Sequence, residues 1–258
     1  TGMDTAITDI IMDDITNITA AKTRDSGRGG RHGSRSYRAG AVLTLVFAAL
    51  ALFLAVPRLI GSLHALSVQE TVTALNAGDA LPPVVLMDAA EELAVASRWS
   101  GGSYHTLDRG LVLLRQGLAT ADPYAQAELF AAAEKATAEG LAAGPGEPGA
   151  WARLAWLRLQ QGNRDGAVAA LRLSFLSGAF VPVLMPSRLE LALLLRPVMD
   201  DEMLSLLRRQ IRLVWVISPD FVAALAERPN IGPLVRNALA ELSEDEVNRH
   251  LELLGGKR

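Results

Sequence analysis

The sequence predicts an all-α protein in which one transmembrane helix precedes an α-solenoid of stacked helical hairpins. Two observations predict this class. Residues 39–57, AGAVLTLVFAALALFLAVP, form a run of 19 residues without a charge. The rest of the chain is rich in Ala and Leu, which are strong helix formers, and Gly and Pro divide it into helix-length segments. Short joints between such segments favour antiparallel helices that pack side by side.

The apolar run has the length of a membrane span, since about 20 apolar residues cross a hydrocarbon core of roughly 30 Å. We therefore predict a transmembrane helix over residues 39–60. The alternatives are a buried helix of a soluble core and a cleaved secretory signal. A signal is disfavoured because 38 residues precede the run, which also exceeds the usual apolar region of about 7–15 residues.

The charges beside the run predict its orientation. Residues 19–38 hold six basic residues and one acid, whereas only Arg58 lies close to the other end. Positive flanks stay in the cytoplasm. We therefore expect a cytoplasmic tail over residues 1–38, a juxtamembrane helix and linker over 61–81, and a periplasmic domain over 82–258. The tail combines a short amphipathic segment with isoleucines at helical spacing, Ile7, Ile11, Ile15 and Ile18, and a basic Gly/Arg-rich linker.

The basic linker has two readings. Its RGG-like composition suggests RNA, but attraction to anionic lipid headgroups is the simpler expectation for a juxtamembrane flank. Residues 39–258 carry 19 basic and 23 acidic side chains, which argues against nucleic-acid binding by the main domain.

Composition also indicates the source and compartment. The chain has no cysteine, which excludes disulfides and thiolate metal sites. Three lysines stand against 22 arginines in an Ala/Leu/Gly-rich chain, a bias typical of GC-rich bacterial genomes. We expect a single-pass protein of the bacterial inner membrane.

Breakers and capping residues set the predicted helices. The pattern after Pro57 continues to Asn76, with Gly78 as a C-terminal cap. Later helices are predicted over residues 83–99, 104–118, 123–143, 151–160, 164–177, 191–196 and 201–216. Capping boxes are expected at Ser187 with Glu190 and at Ser243 with Glu246. Further helix starts are predicted at Asp200 or Asp201, at Ser218, Pro219 and Asp220, and at Gly232 and Pro233.

Residues 151–182, WARLAWLRLQQGNRDGAVAALRLSFLSGAFVP, carry a repeat signature. Its positions are Trp151, Leu154 and Ala155 in a first helix, Gly162 at a turn, and Ala167, Leu171 and Ser174 in a second helix. This pattern resembles the tetratricopeptide repeat (TPR). Arg158 replaces the usual aromatic residue and the closing Pro182 is shifted. One repeat earlier, Ala133, Leu141 and Pro145 keep phase, while Thr137 and Gly140 match poorly.

The resemblance implies a concave groove lined by the first helix of each hairpin. By family pattern, the residues facing the groove to bind a partner are Ala152, Trp156, Leu159 and Gln160. Trp156 has two readings, a partner anchor in the groove or a core tryptophan packed on the next hairpin.

No constellation in the sequence predicts catalysis. The four histidines lack metal-ligand spacing. Ser103, His105 and Asp108 lie close together without the turn that exposes a nucleophile, and GPGEPG does not match a phosphate loop. We expect no catalytic, cofactor or metal site and no enzyme activity. An α-helical enzyme remains an alternative class of function.

The expected function is that of a membrane-anchored periplasmic scaffold, which binds a membrane or periplasmic protein within an envelope complex. The alternatives are an accessory factor for cell-envelope polysaccharide synthesis or export, and an auxiliary subunit of an integral complex contacted through the transmembrane helix.

Overall fold

The computed structural model describes residues 33–241, with side chains from Val42 onward. Every regular element in that range is helical. The α-helices are α1 Gly33–Ser67, α2 Gln69–Ala77, α3 Pro83–Ser100, α4 Ser103–Ala119, α5 Pro123–Ala143, α6 Pro148–Gln160, α7 Arg164–Ser177, α8 Met185–Leu195, α9 Asp201–Ile217, α10 Pro219–Ala226 and α11 Gly232–Ala240. Two 3-10 turns, Pro182–Leu184 and Arg196–Val198, flank α8. The predicted amphipathic segment near Ile7 and the capping box at Ser243 lie outside the described residues.

Helix α1 contains the one stretch of the described chain that is long and apolar enough to cross a membrane. This stretch, Val42–Ser67, has a mean hydropathy of 2.3. The side chains from Val42 to Val56 are all exposed. The described chain divides into two compact units at this helix, one ending at Ala55 and the other beginning at Val56.

The sequence predicts that the helical pattern after Pro57 continues to Asn76, but the structure shows a break at Val68. Helix α1 ends at Ser67, and α2 begins at Gln69 after Val68 leaves the helical region. The Ser67 hydroxyl donates to the His64 carbonyl, a local bond of the kind that competes with the helix ladder. Val68 is buried at this break.

Predicted breakers and caps set most of the other helix ends. Gly78 has φ 95° and ends α2, while Gly162 has φ 77° at the turn between α6 and α7. Positive φ favours glycine because it has no Cβ. The side chains of Asp122 and Asp200 accept backbone N–H groups at the predicted starts of α5 and α9. Asn163, a cap that was not predicted from the sequence, does the same at the start of α7.

The capping box predicted at Ser187 is wrong. Helix α8 starts two residues earlier, at Met185, whose side chain is fully buried. Pro186 is compatible with this first turn. Ser187 instead donates to the Leu184 carbonyl at 3.0 Å, and Glu190 pairs with Arg228.

Helices that follow one another in the chain pack on one another from α3 to α8, and α9 packs on α8, α10 and α11. Two apolar clusters result. The first joins α2 to α6 through residues such as Leu86, Leu93 and Val112, and the second extends from α4 to α11. Val68 and Leu75 are buried in the first cluster. Part of the segment expected as juxtamembrane helix and linker therefore packs with the helical core.

Glycines allow α4 and α5 to approach closely. A Cβ on Gly117 would lie 2.7 Å from the Phe130 ring, and one on Gly140 would lie 2.7 Å from the Leu107 side chain. These opposed pairs show that the two helices run antiparallel.

Helices α6 and α7 form the hairpin with the repeat signature. Its signature positions in the helix contact are buried, namely Leu154, Ala155, Ala167, Leu171 and Ser174. The Ser174 hydroxyl also donates to the Pro148 carbonyl at 2.7 Å. Arg158, at the usual aromatic position, donates to Glu134 at 3.1 Å.

The preceding hairpin departs from a strict period of about 34 residues. Glu128 stands one period before the turn residue Gly162, but it lies inside α5. Helices α4 and α5 are longer than α6 and α7, with 17 and 21 residues against 13 and 14. Ala133 and Leu141 thus lie on α5 as predicted, but the turn before α5 does not fall where the repeat of α6 and α7 would place it.

Candidate functional site

An open groove of about 740 Å³ runs across α4, α6 and α8. These are the first helices of three consecutive helix pairs, α4–α5, α6–α7 and α8–α9. We call this surface the α4–α6–α8 groove. Its volume falls within the roughly 300–1,000 Å³ of ligand-binding clefts.

The groove has an apolar wall built mainly by α4. Leu107, Leu111, Leu114 and Leu118 recur at helical spacing and line one face of that helix. Leu191 from α8 and Trp156 from α6 extend this lining. An apolar surface of this kind can bury side chains of a ligand.

Two of the four residues predicted to face a groove line this one. Ala152 and Trp156, one helical turn apart on α6, belong to the lining. Leu159 is half-buried against the second core cluster, and Gln160 is exposed at the last position of α6. The structure thus brings Ala152 and Trp156 together and leaves the other two outside the lining.

Trp156 combines features of both of its predicted roles. Its ring lines the groove and packs against both core clusters. The ring also meets Phe130 edge-on, with centroids 5.4 Å apart and planes at 86°. This edge-to-face geometry is one that aromatic pairs prefer.

The groove also contains arginines that no sequence motif indicates. Arg153 follows Ala152 on α6, Arg188 lies on α8 and Arg115 on α4. Arg115 donates to the Leu75 carbonyl at 3.2 Å. Arg188 is buried, whereas Arg115 and Arg153 are half-buried.

Arg188 is 1% exposed and is held by the end of α7. Its Nη1 donates to the carbonyl oxygens of Ser174 at 2.9 Å and Gly178 at 2.7 Å, and its guanidinium lies 5.5 Å from the Phe175 ring centroid. Burial lowers the pKa of Arg188 to about 10. The side chain therefore remains a cation at neutral pH, with its Nε buried and without a hydrogen-bond partner.

Arg153 and Asp108 face the groove from neighbouring helices. Burial lowers the pKa of Arg153 to about 10, although the negative charges of Asp108 and Glu147 act to raise it. Burial raises the pKa of Asp108, although the charges of Arg153 and His105 act to lower it. The two groups influence each other electrostatically, yet the structure shows no direct ion pair between them.

The cluster of Ser103, His105 and Asp108 is spread over the first turns of α4. Gly101, with φ 61°, ends α3, and Gly102 precedes α4. The turn predicted between these helices is confirmed. Among the described residues, no hydrogen bond links the serine, the histidine and the aspartate.

No protein-family model matches the sequence, and no curated protein matches it. The candidate function therefore depends on the geometry of the groove and on the apolar helix α1.

Proposed function

We propose that this protein is a membrane-anchored, TPR-like scaffold that holds a segment of a partner protein in the α4–α6–α8 groove. The observation that supports this most strongly is the position of Ala152 and Trp156. The repeat pattern predicts both as groove residues, and both line a groove that α4 and α8 complete. A groove on the first helices of consecutive hairpins is what the resemblance implies.

The composition of the groove supports a binding function. Trp and Arg, together with Tyr104, stand beside a leucine wall. Trp, Tyr and Arg are enriched among residues that dominate binding energy at protein interfaces. We propose binding as the activity of the groove, with no catalytic step.

The proposed anchor is α1. Its exposed apolar side chains from Val42 to Val56 support insertion into a bilayer. The basic residues of 19–38 support a cytoplasmic N-terminus and a periplasmic helical domain in the bacterial inner membrane. Anchoring would confine the groove to the membrane surface and raise its effective concentration near other membrane proteins.

Site-specific photo-crosslinking in cells tests the groove directly. A photoreactive amino acid replaces Ala152, which lines the groove, and as a matched control replaces Ala169, which is exposed on α7. The proposal predicts an adduct with a partner protein from position 152 and none from position 169. Adducts of equal yield at both positions, or at neither, would contradict it.

A further inference from the structure

We infer that the partner segment held in the α4–α6–α8 groove carries an Asp or Glu side chain whose carboxylate binds Arg153, beside apolar residues that pack on the leucine wall. This inference rests on the proposed function and names the chemistry of the partner.

The first observation is that Arg153 has no hydrogen-bond partner. Its side chain is half-buried, its Nε is shielded from solvent, and no hydrogen bond or ion pair engages its guanidinium among the described residues. A guanidinium presents five N–H donors in a planar fork that matches a carboxylate with two parallel hydrogen bonds. A buried donor without an acceptor is unfavourable, so the groove is incomplete around Arg153.

The second observation is the balance of charge in the groove. Arg115, Arg153 and Arg188 contribute three cations, while Asp108 and Glu147 contribute two carboxylates. Neither acid forms a direct ion pair with an arginine of the groove in the described chain. Arg188 is directed to carbonyl oxygens and has no carboxylate partner there. The lining thus has one cation more than it has carboxylates, and Arg153 is the one of its three arginines without a hydrogen bond within the described residues, so Arg153 is the position at which a ligand carboxylate can pair.

The third observation concerns the neighbours of Arg153. Trp156 lies three residues further along the same helix. Leu111 and Leu114, on α4, line the same groove as Arg153 and Trp156. A ligand that fills the groove beside Arg153 also contacts these apolar groups, since they line the same groove. A segment with an acidic residue beside apolar residues meets both demands.

Peptide selection tests this chemistry on the full-length protein in phosphatidylcholine nanodiscs. A random peptide library is selected against the unmodified protein, Arg153→Gln, Trp156→Ala and Arg164→Gln. Arg164 is an exposed arginine at the start of α7 and serves as the matched control. The unmodified protein and Arg164→Gln should enrich peptides with Asp or Glu beside large apolar residues. Arg153→Gln should lose the acidic preference.

A double-mutant cycle makes the result quantitative. An enriched peptide is resynthesised with its acid replaced by the corresponding amide. The change should weaken binding to the unmodified protein about 10- to 100-fold, the range for a hydrogen bond to a charged group. It should have little effect on binding to Arg153→Gln. Equal losses on both proteins would overturn the assignment of the carboxylate to Arg153.

Stability separates a binding role from a structural one. Arg153→Gln should unfold at nearly the same denaturant concentration as the unmodified protein. It removes a desolvated cation without a hydrogen bond, and this gain is offset by the loss of the attraction between Arg153 and the carboxylates of Asp108 and Glu147. A marked loss of stability would mean that Arg153 supports the fold and would overturn the inference.

The remaining outcomes distinguish this inference from the proposed function. Peptides that require Trp156 but show no acidic preference would overturn the inference and leave the peptide-binding groove intact. Failure to select any Trp156-dependent peptide would overturn both. Arg153-dependent binding of phosphatidylglycerol vesicles, without acidic peptides, would assign the site to a lipid headgroup and overturn the inference.

Discussion

At the scale of single residues, small side chains determine how closely the helices of a pair approach. Ala155 and Ala167 are fully buried between α6 and α7, and Gly117 allows the Phe130 ring to lie against α4. Interiors are close-packed, so these positions cannot accept a larger side chain without movement of the backbone.

Ala167 provides a direct test of that contact. Ala167→Leu should overpack the α6–α7 interface and lower the free energy of unfolding by about 1–3 kcal/mol. Ala169→Leu, on the exposed face of the same helix, is the control and should change it little. Both are measured by chemical denaturation of the full chain in detergent. Equal unfolding midpoints for the two variants would show that Ala167 does not limit the contact.

At the scale of helices, α2 belongs to the packed core although it follows the apolar span directly. Leu75 is 2% exposed in the cluster formed with α3 and α4, and the Leu75 carbonyl accepts a hydrogen bond from Arg115. His64, near the end of α1, lies 2.6 Å from the Glu92 carboxylate on α3. These contacts connect the end of α1 to α3, and α2 to α4.

Truncation of Leu75 tests whether α2 contributes to stability. Leu75→Ala should destabilise the protein by about 2–5 kcal/mol, the range for a buried leucine. Leu66→Ala, at an exposed leucine near the end of α1, should have a small effect in the same assay. If Leu75→Ala unfolds with the midpoint of the parent, α2 is not part of the cooperative core.

Most helix limits could be predicted because their signals are local. Asp122 before Pro123 marks the start of α5, and Gly162 marks a turn that needs positive φ. The start of α8 could not be predicted in this way, because the burial of Met185 depends on helices distant in sequence. The capping residues at Ser187 and Glu190 therefore gave a misleading local signal.

The groove shows the same division between local and non-local information. The repeat pattern within one helix names Ala152 and Trp156, which line the groove, and equally Leu159 and Gln160, which do not. Arg153 and Arg188 could not be predicted, since their significance arises from burial where α4, α6 and α8 meet. No local pattern sets these two apart from the other arginines of the chain.

At the scale of the whole molecule, the proposed topology places the two ends of the chain on opposite sides of a membrane. A reporter that is active only in the periplasm should be active when fused after Arg258 and silent when fused before Met3. This follows from the basic residues of 19–38, which favour a cytoplasmic N-terminus. The reverse pair of activities would contradict both the orientation and the periplasmic position of the groove.

The most direct test of the binding groove compares two tryptophans in a co-purification from solubilised membranes. Trp156 lines the groove, whereas Trp99 is 47% exposed near the end of α3 and lies outside the groove lining. Trp156→Ala should keep its helical circular dichroism at the assay temperature but lose the partner, since an interface anchor contributes about 2 kcal/mol or more, roughly 30-fold in affinity. Trp99→Ala should retain the partner. A folded Trp156→Ala variant that recovers as much partner as Trp99→Ala would contradict the proposed role of the groove.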